Sequence, residues 1–307
     1  MSYTDLKAKL GQGKTVIIDG AIGTELERRG VEMDTFAWCG RANVHGFDQL
    51  VEVHCDYIRA GAEIITVNTY ASNRIMLTAA GVGEQTVEIN RLAVDAAQKA
   101  RDKMNRPGVL IAGSVSHAVP IVPGTSTSDR SQMNSSEMFD AFSELAQIHK
   151  DEGCDLILLE MMFDPERVHL ATRAAIQTGL PTWSGLSAKR GNKGEVLAFV
   201  QDEDVPFDTL LDAALAYDVD AVGIMHTPSN VTSAAIPLVK ARFDGVLTAY
   251  PDSGYFMAPH WQFKDIIPPA ELVAFAKEWV NDGVQVLGGC CGLSPEHIEA
   301  LTAEFGT

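Results

Sequence analysis

The chain has 307 residues, 46% hydrophobic and 21% charged, with 41 acidic against 24 basic side chains and a formal net charge of −17. That length suits one large core, and parallel α/β barrels commonly use about 250 residues as a single domain. No apolar run approaches the roughly 18 residues of a membrane span, and the acidic balance opposes binding to nucleic acid or an anionic membrane.

The start, Met1-Ser2-Tyr3-Thr4-Asp5, lacks the basic and apolar segments of a secretory signal, so the five cysteines are expected in a reducing, cytoplasmic setting without structural disulfides. Along the chain, short β-branched apolar runs alternate with amphipathic stretches, the pattern of βα units around a parallel sheet. The runs are 15–20, 63–70, 109–116, 155–162, 181–188, 220–227, 245–254 and 284–292. Helical patterns separate most of them: 47–59, 84–103, 136–150, 165–178, 206–216, 269–281 and 295–304. Eight strands with intervening helices predict an α/β fold, a (β/α)8 TIM barrel, with residues 1–307 forming one domain.

The strand ends carry polar groups: Asp19-Gly20, Asn68-Thr69, Ser114, Glu160, His226-Thr227, Asp252-Ser253 and Cys290-Cys291. C-terminal strand ends form the catalytic mouth of a parallel barrel. Acids and hydroxyls also cap the helices that follow, so some of these positions have a purely local reason. Long irregular stretches at 31–46 and 118–134 are expected to lie over that mouth, and the aromatic segment 250–269 is either a third rim segment or a surface loop packing its own aromatics.

Gly289-Cys290-Cys291-Gly292 is the most telling segment. Two adjacent thiols in a glycine turn suit a soft metal; two buried small hydrophobes and a strained vicinal disulfide are the competing readings. His226, at the end of the sixth run, would complete a Cys2His set with an open fourth position, the pattern of a catalytic zinc. On its own His226 reads as a buried core histidine. His54, His117 and His260 lack partners in sequence and are expected to be structural or exposed.

These features resemble the homocysteine S-methyltransferase family. The resemblance rests on DGAIGTELERRG (19–30), AGAEIITVNTYASNR (60–74), Gly113-Ser114, GCDLILLE (153–160), YPDSG (250–254) and GGCCG (288–292), spread over nearly the whole chain. It implies a zinc barrel of homocysteine-binding type that binds the homocysteine thiol on the metal and methylates it to methionine with a methyl group from a small onium donor. Cys290 and Cys291 match two of the family's three zinc cysteines. His226 stands where the third is usual, in Gly223-Ile224-Met225-His226, so the metal set expected here is His226, Cys290 and Cys291.

The same resemblance assigns Asp19 and Glu160 to the substrate ammonium, Gly20 and Ala21 to backbone donors beside the amino acid, and Thr69 to its carboxylate. Trp38 and Tyr70, with Tyr255 and Trp261 behind them, are the candidates for holding an onium donor by cation–π attraction. Met161 and Met162 occupy the place where the betaine-using branch carries an aromatic residue, which weakens the case for betaine and leaves a sulfonium donor such as S-methylmethionine or dimethylsulfoniopropionate open. Replacing a thiolate by a neutral imidazole changes the three-ligand charge from −1 to 0, favouring thiol deprotonation but leaving the sulfur less nucleophilic. The competing readings are a divergent paralogue, methylating another thiol or demethylating an onium compound, and a metal-free ligand-binding barrel. A monomer or small homo-oligomer is expected.

Overall fold

The computed structural model describes residues 1–117, 119–120, 134–200 and 202–306. All eight expected strands form one parallel sheet. In chain order they are Val16–Ile17, Ile64–Thr66, Leu110–Ser116, Leu156–Met162, Thr182–Leu186, Ala221–Pro228, Val246–Asp252 and Val284–Leu287. Each pairs with its neighbour in sequence, and the eighth pairs with the first through Val16–Val286 and Ile17–Leu287. An Ile18–Ile64 bridge between the first and second strands closes the barrel.

Period-two alternation sorts each strand into an inner and an outer face. Val16, Ile18, Ile64, Leu110, Ala112, Leu156, Leu158, Trp183, Ala221, Met225, Tyr250 and Val286 fill the inside. The opposite faces pack against the surrounding helices in a second, larger core that includes Ile17, Ile111, Ile157, Val222 and Ala249. Close packing leaves no room for side chains at some inner positions: a Cβ on Gly185 would lie 2.2 Å from the Tyr250 hydroxyl.

The expected helices appear, with ends shifted by a few residues. Phe47–Ala60, Thr86–Lys103, Ser135–Asp151, Pro165–Gln177, Phe207–Ala214, Pro269–Asn281 and Pro295–Phe305 surround the sheet. Local chemistry fixes several starts. The Asp164 side chain accepts from Arg167 N–H and proline follows in the first turn, while Asn134 caps Ser135–Asp151 by accepting from Glu137 N–H.

Other elements were not foreseen. The helix Tyr3–Gly11 inserts Leu6 and Leu10 into the inner core, and its last turn accepts a bond from Gln285. The helix Ser229–Lys240 contains Pro237, a residue that argues against a helix interior in sequence. Small antiparallel hairpins, Ala188–Arg190 with Val196–Ala198 and Tyr255–Met257 with His260–Gln262, follow the fifth and seventh strands. The stretch 31–46 holds a short helix, Ala42–His45, and the predicted mouth loop 118–134 lies largely outside the described residues.

Candidate active site

The alternation that builds the core also delivers chemistry at its upper end. Leu156, Leu158 and Glu160 share one face of the fourth strand; Thr248, Tyr250 and Asp252 share one face of the seventh; Val286, Gly288 and Cys290 continue the eighth. Above Met225 and Tyr250 a cavity of about 400 Å³ opens, lined by Asp19, Glu160, Asp252, His226, Cys290 and Cys291 among others.

Backbone irregularities aim the side chains there. The sixth and seventh strands slip register between Met225 and Pro228, and His226 takes φ 44° within that slip. A second slip lies between Leu159 and Met162, where Met161 has φ 53°. Trp38 has φ 40°. All three residues line the cavity. Left-handed backbone at a bulky residue costs of order 1–3 kcal/mol, and such strain collects at functional sites.

The cysteine turn is held from both sides. Gly289 N–H donates to the Asp19 carbonyl (3.1 Å), Cys290 N–H to the Pro251 carbonyl (2.7 Å), and Ser253 N–H to the Cys291 carbonyl (2.9 Å). Gly292 has φ 82°, and a Cβ there would lie 1.9 Å from the Ser253 carbonyl oxygen, so only glycine closes the turn.

Cys290 Sγ lies 3.6 Å from His226 Nδ1 and 3.9 Å from Cys291 Sγ, and one ligating atom from each of the three residues falls within 4.8 Å of the others. A tetrahedral ion with Zn–N of about 2.0–2.1 Å and Zn–S of about 2.3 Å requires N–S and S–S edges of about 3.6 and 3.8 Å. The two edges at Cys290 match those of a soft metal ion, and the third, between His226 and Cys291, lies within 4.8 Å. The five cysteines are all free thiols, and the 3.9 Å between the Cys290 and Cys291 sulfurs is far longer than a disulfide bond.

Electrostatics at the site is dominated by burial. Burial holds Asp19 well above the usual carboxylate range, although its oxygens accept from Thr66 N–H (2.6 Å) and Thr66 Oγ1 (2.9 Å). Burial raises Glu160 to about 7, against a hydrogen bond from Ser114 Oγ that favours its charged form. Burial alone would lower the His226 pKa, but Asp252, Cys290 and Glu160 together raise it to about 9. Cys290 is held high first by its sharing of a proton with Cys291 and then by burial. Burial also raises Asp252, and three perturbed carboxylic acids beside paired thiols and an imidazole, all in one cleft, are a functional-site signature.

Aromatic rings form the remaining wall. Trp38 meets Tyr70 (6.1 Å between centroids) and Phe256 (6.0 Å) edge to face, and the His226 ring meets Phe199 (5.7 Å) and Trp261 (5.9 Å). The Tyr70 hydroxyl lies 2.7 Å from the Met161 sulfur. Faces of this kind hold organic cations.

Of the residues singled out in sequence, His226, Cys290, Cys291, Asp19, Gly20, Ala21, Glu160, Trp38 and Tyr70 line this cavity. Thr69 does not. Its hydroxyl is fully buried, donating to the Ser114 carbonyl (2.7 Å) beside His149, and Thr66 and Asn68 reach the cavity instead. The chain turns after Val67, where Thr69 N–H bonds the Val67 carbonyl (2.8 Å), and this takes the Thr69 side chain off the cavity wall. The backbone donor expected at Ala21 is also engaged, bonded to the Leu293 carbonyl at 3.2 Å. His54 is core and His260 is exposed beside Glu27, but His117 forms part of the cavity wall against Phe163 (4.2 Å). Sequence reasoning gave no role to Asp252, whose place on the inner face was readable from Tyr250 by alternation. It also missed Phe163 and Phe199, which no local pattern marks.

A sequence profile described as homocysteine S-methyltransferase matches residues 16–305. The homocysteine S-methyltransferase of Escherichia coli (strain K12) is 27% identical over 309 residues, 97% of each chain. The selenocysteine methyltransferase of Astragalus bisulcatus is 25% identical over 318 residues, covering 94% of this chain and 92% of that one. The metallated form of the homocysteine methyltransferase MmuM from Escherichia coli superposes with a TM-score of 0.79 at 23% identity, over 97% of this chain and 99% of that one, and shares its fold.

Proposed function

Because the chain belongs to the homocysteine S-methyltransferase family, we propose that it transfers a methyl group from a small sulfonium donor, such as S-methylmethionine or dimethylsulfoniopropionate, to the thiol of homocysteine, giving methionine. The observation that carries this reading is the meeting of two thiols and an imidazole at metal-like spacing with two buried carboxyl groups in one aromatic-walled cavity. Methyl transfer to sulfur needs a polarised thiol, an anchored amino acid and a place for a cation, and the cavity supplies a group for each.

In this reading His226, Cys290 and Cys291 hold zinc, whose Lewis acidity favours the thiolate form of the acceptor over the thiol. Asp19 and Glu160 take the substrate ammonium by charge-assisted hydrogen bonds. The Thr66 bonds to Asp19 and the Ser114 bond to Glu160 fix both carboxyl groups before the substrate arrives. Trp38, Tyr70 and the rings around His226 hold the donor cation by its charge. They also keep water from the reacting atoms.

The acceptor sulfur attacks the methyl carbon in line. A C–S bond forms as the donor S–CH3 bond breaks, and the departing sulfur keeps the electron pair as a neutral thioether. The thiol proton passes to solvent. Holding both partners in one cleft makes this displacement effectively unimolecular. Among the described residues no helix is long and apolar enough to cross a membrane.

The test is methionine formation from homocysteine and S-methylmethionine by the reduced protein, with and without a strong chelator. Turnover that is lost on chelation and restored by zinc supports the reading. Turnover unaffected by chelation contradicts the metal, and absence of methionine with every sulfonium donor contradicts the acceptor.

A further inference from the structure

We infer that Asp252 is the charge-setting group of the His226, Cys290 and Cys291 centre, acting on the whole centre through space rather than by orienting the His226 ring. This rests on the metal reading given above. In the sheet the seventh strand lies between the sixth and the eighth, so the strand that ends in Asp252 separates the strand bearing His226 from the one leading to Cys290. Alternation turns Asp252 to the inner face, and the bond from Ser253 N–H to the Cys291 carbonyl ties its neighbour to the cysteine turn.

The carboxylate Oδ2 is 3.7 Å from His226 Nδ1, the same ring nitrogen that faces Cys290 Sγ at 3.6 Å. That separation is too long for the hydrogen bond by which a carboxylate orients an imidazole. It is close enough for a strong Coulomb interaction inside a buried cavity. Asp252 is only 9% exposed, so its charge is poorly met by water and requires a cation nearby.

Charge counting shows what it adds. Two thiolates cancel a dication and a neutral imidazole adds nothing, so the three donors alone give a net charge of zero. The carboxylate makes the set −1. A more negative set binds a dication more tightly and leaves an incoming sulfur more electron-rich, which favours nucleophilic attack.

The test is Co2+ affinity of the reduced, full-length protein, measured by competition with a chromophoric chelator. Wild type is compared with Asp252→Asn and Asp252→Glu, and Asp252→Asn is repeated in a His226→Cys background, where no ring remains to be oriented. Unchanged metal-free Tm shows that the variants fold. Asp252→Asn should weaken Co2+ about tenfold or more in both backgrounds, while Asp252→Glu, which keeps the charge, retains most of the affinity. An Asp252→Asn effect confined to the His226 background, or equal losses in Asn and Glu, would show that the carboxylate acts by geometry, and no effect in either background would remove it from the centre. Failure of the wild type to take up Co2+ at all, or uptake unchanged in Cys290→Ala, would instead overturn the metal reading on which the inference stands.

Discussion

Glu160 and Asp19 are two cavity acids that burial holds above the usual carboxylate range. Glu160 titrates at about 7 because burial penalises its charge. An ammonium ligand needs the charged form, so binding should strengthen as pH rises through that value. Methionine is the suitable probe, since it has no thiol to titrate: its Kd should rise by up to about tenfold per unit below pH 7. In Glu160→Gln binding should be weak and lose the step near pH 7, and a profile like the wild type would show that Glu160 does not face the ammonium.

His54 is a different case, a neutral side chain in the core with its pKa lowered to about 3 by burial. Above pH 6.5 neither folded nor unfolded chain carries this proton. Below it the unfolded chain binds one that the folded chain refuses until about pH 3. Stability therefore falls with acid by about 1.4 kcal/mol per unit from this residue. Chemical denaturation of His54→Leu should show a slope shallower by roughly one proton between pH 6 and 4, and an unchanged slope would place that proton elsewhere.

At the scale of elements, the strand ends matter more than the strands. Register slips after Leu159 and Met225 turn Met161 and His226 into the cavity, and the Gly292 turn locks Cys290 and Cys291 against the seventh strand. Gly292→Ala meets both a left-handed φ and the Ser253 carbonyl. It should cost on the order of 1–3 kcal/mol in Tm-derived stability and lower metal content more than it lowers folded yield. Full metal content in that variant would mean that the turn tolerates the methyl group.

The same scale explains what the sequence makes legible. Alternating apolar runs marked all eight strands, because a barrel strand must bury both faces and its boundaries are punctuated by turns. The paired cysteines were visible as a motif, and His226 as a strand end. Thr69, expected at the substrate carboxylate, lies off the cavity because the local turn after Val67, which no residue pattern announces, rotates it into a bond with Ser114. The helix Ser229–Lys240 was hidden by Pro237, and Phe199 reaches the wall only because a hairpin folds back after the fifth strand. Contacts made by irregular segments depend on tertiary closure, which periodicity does not encode.

For the whole molecule, closure is the organising event. The first strand is only Val16–Ile17, yet it joins the eighth strand and, through Ile18, the second, so Asp19 and the cysteine turn come together only when the ring is complete. Cavity, acids and thiols are thus products of one cooperative structure, assembled from strands far apart in sequence. The net charge of −17 favours solubility.

The most direct test of this account is the metal content of the reduced, tag-free protein after supply of zinc, measured beside His226→Ala and Cys290→Ala. The account predicts about one zinc per chain in the unmodified protein, by ligand count, and loss of it in both variants while the fold is kept. Zinc absent from the unmodified protein, or retained equally in both variants, would contradict it.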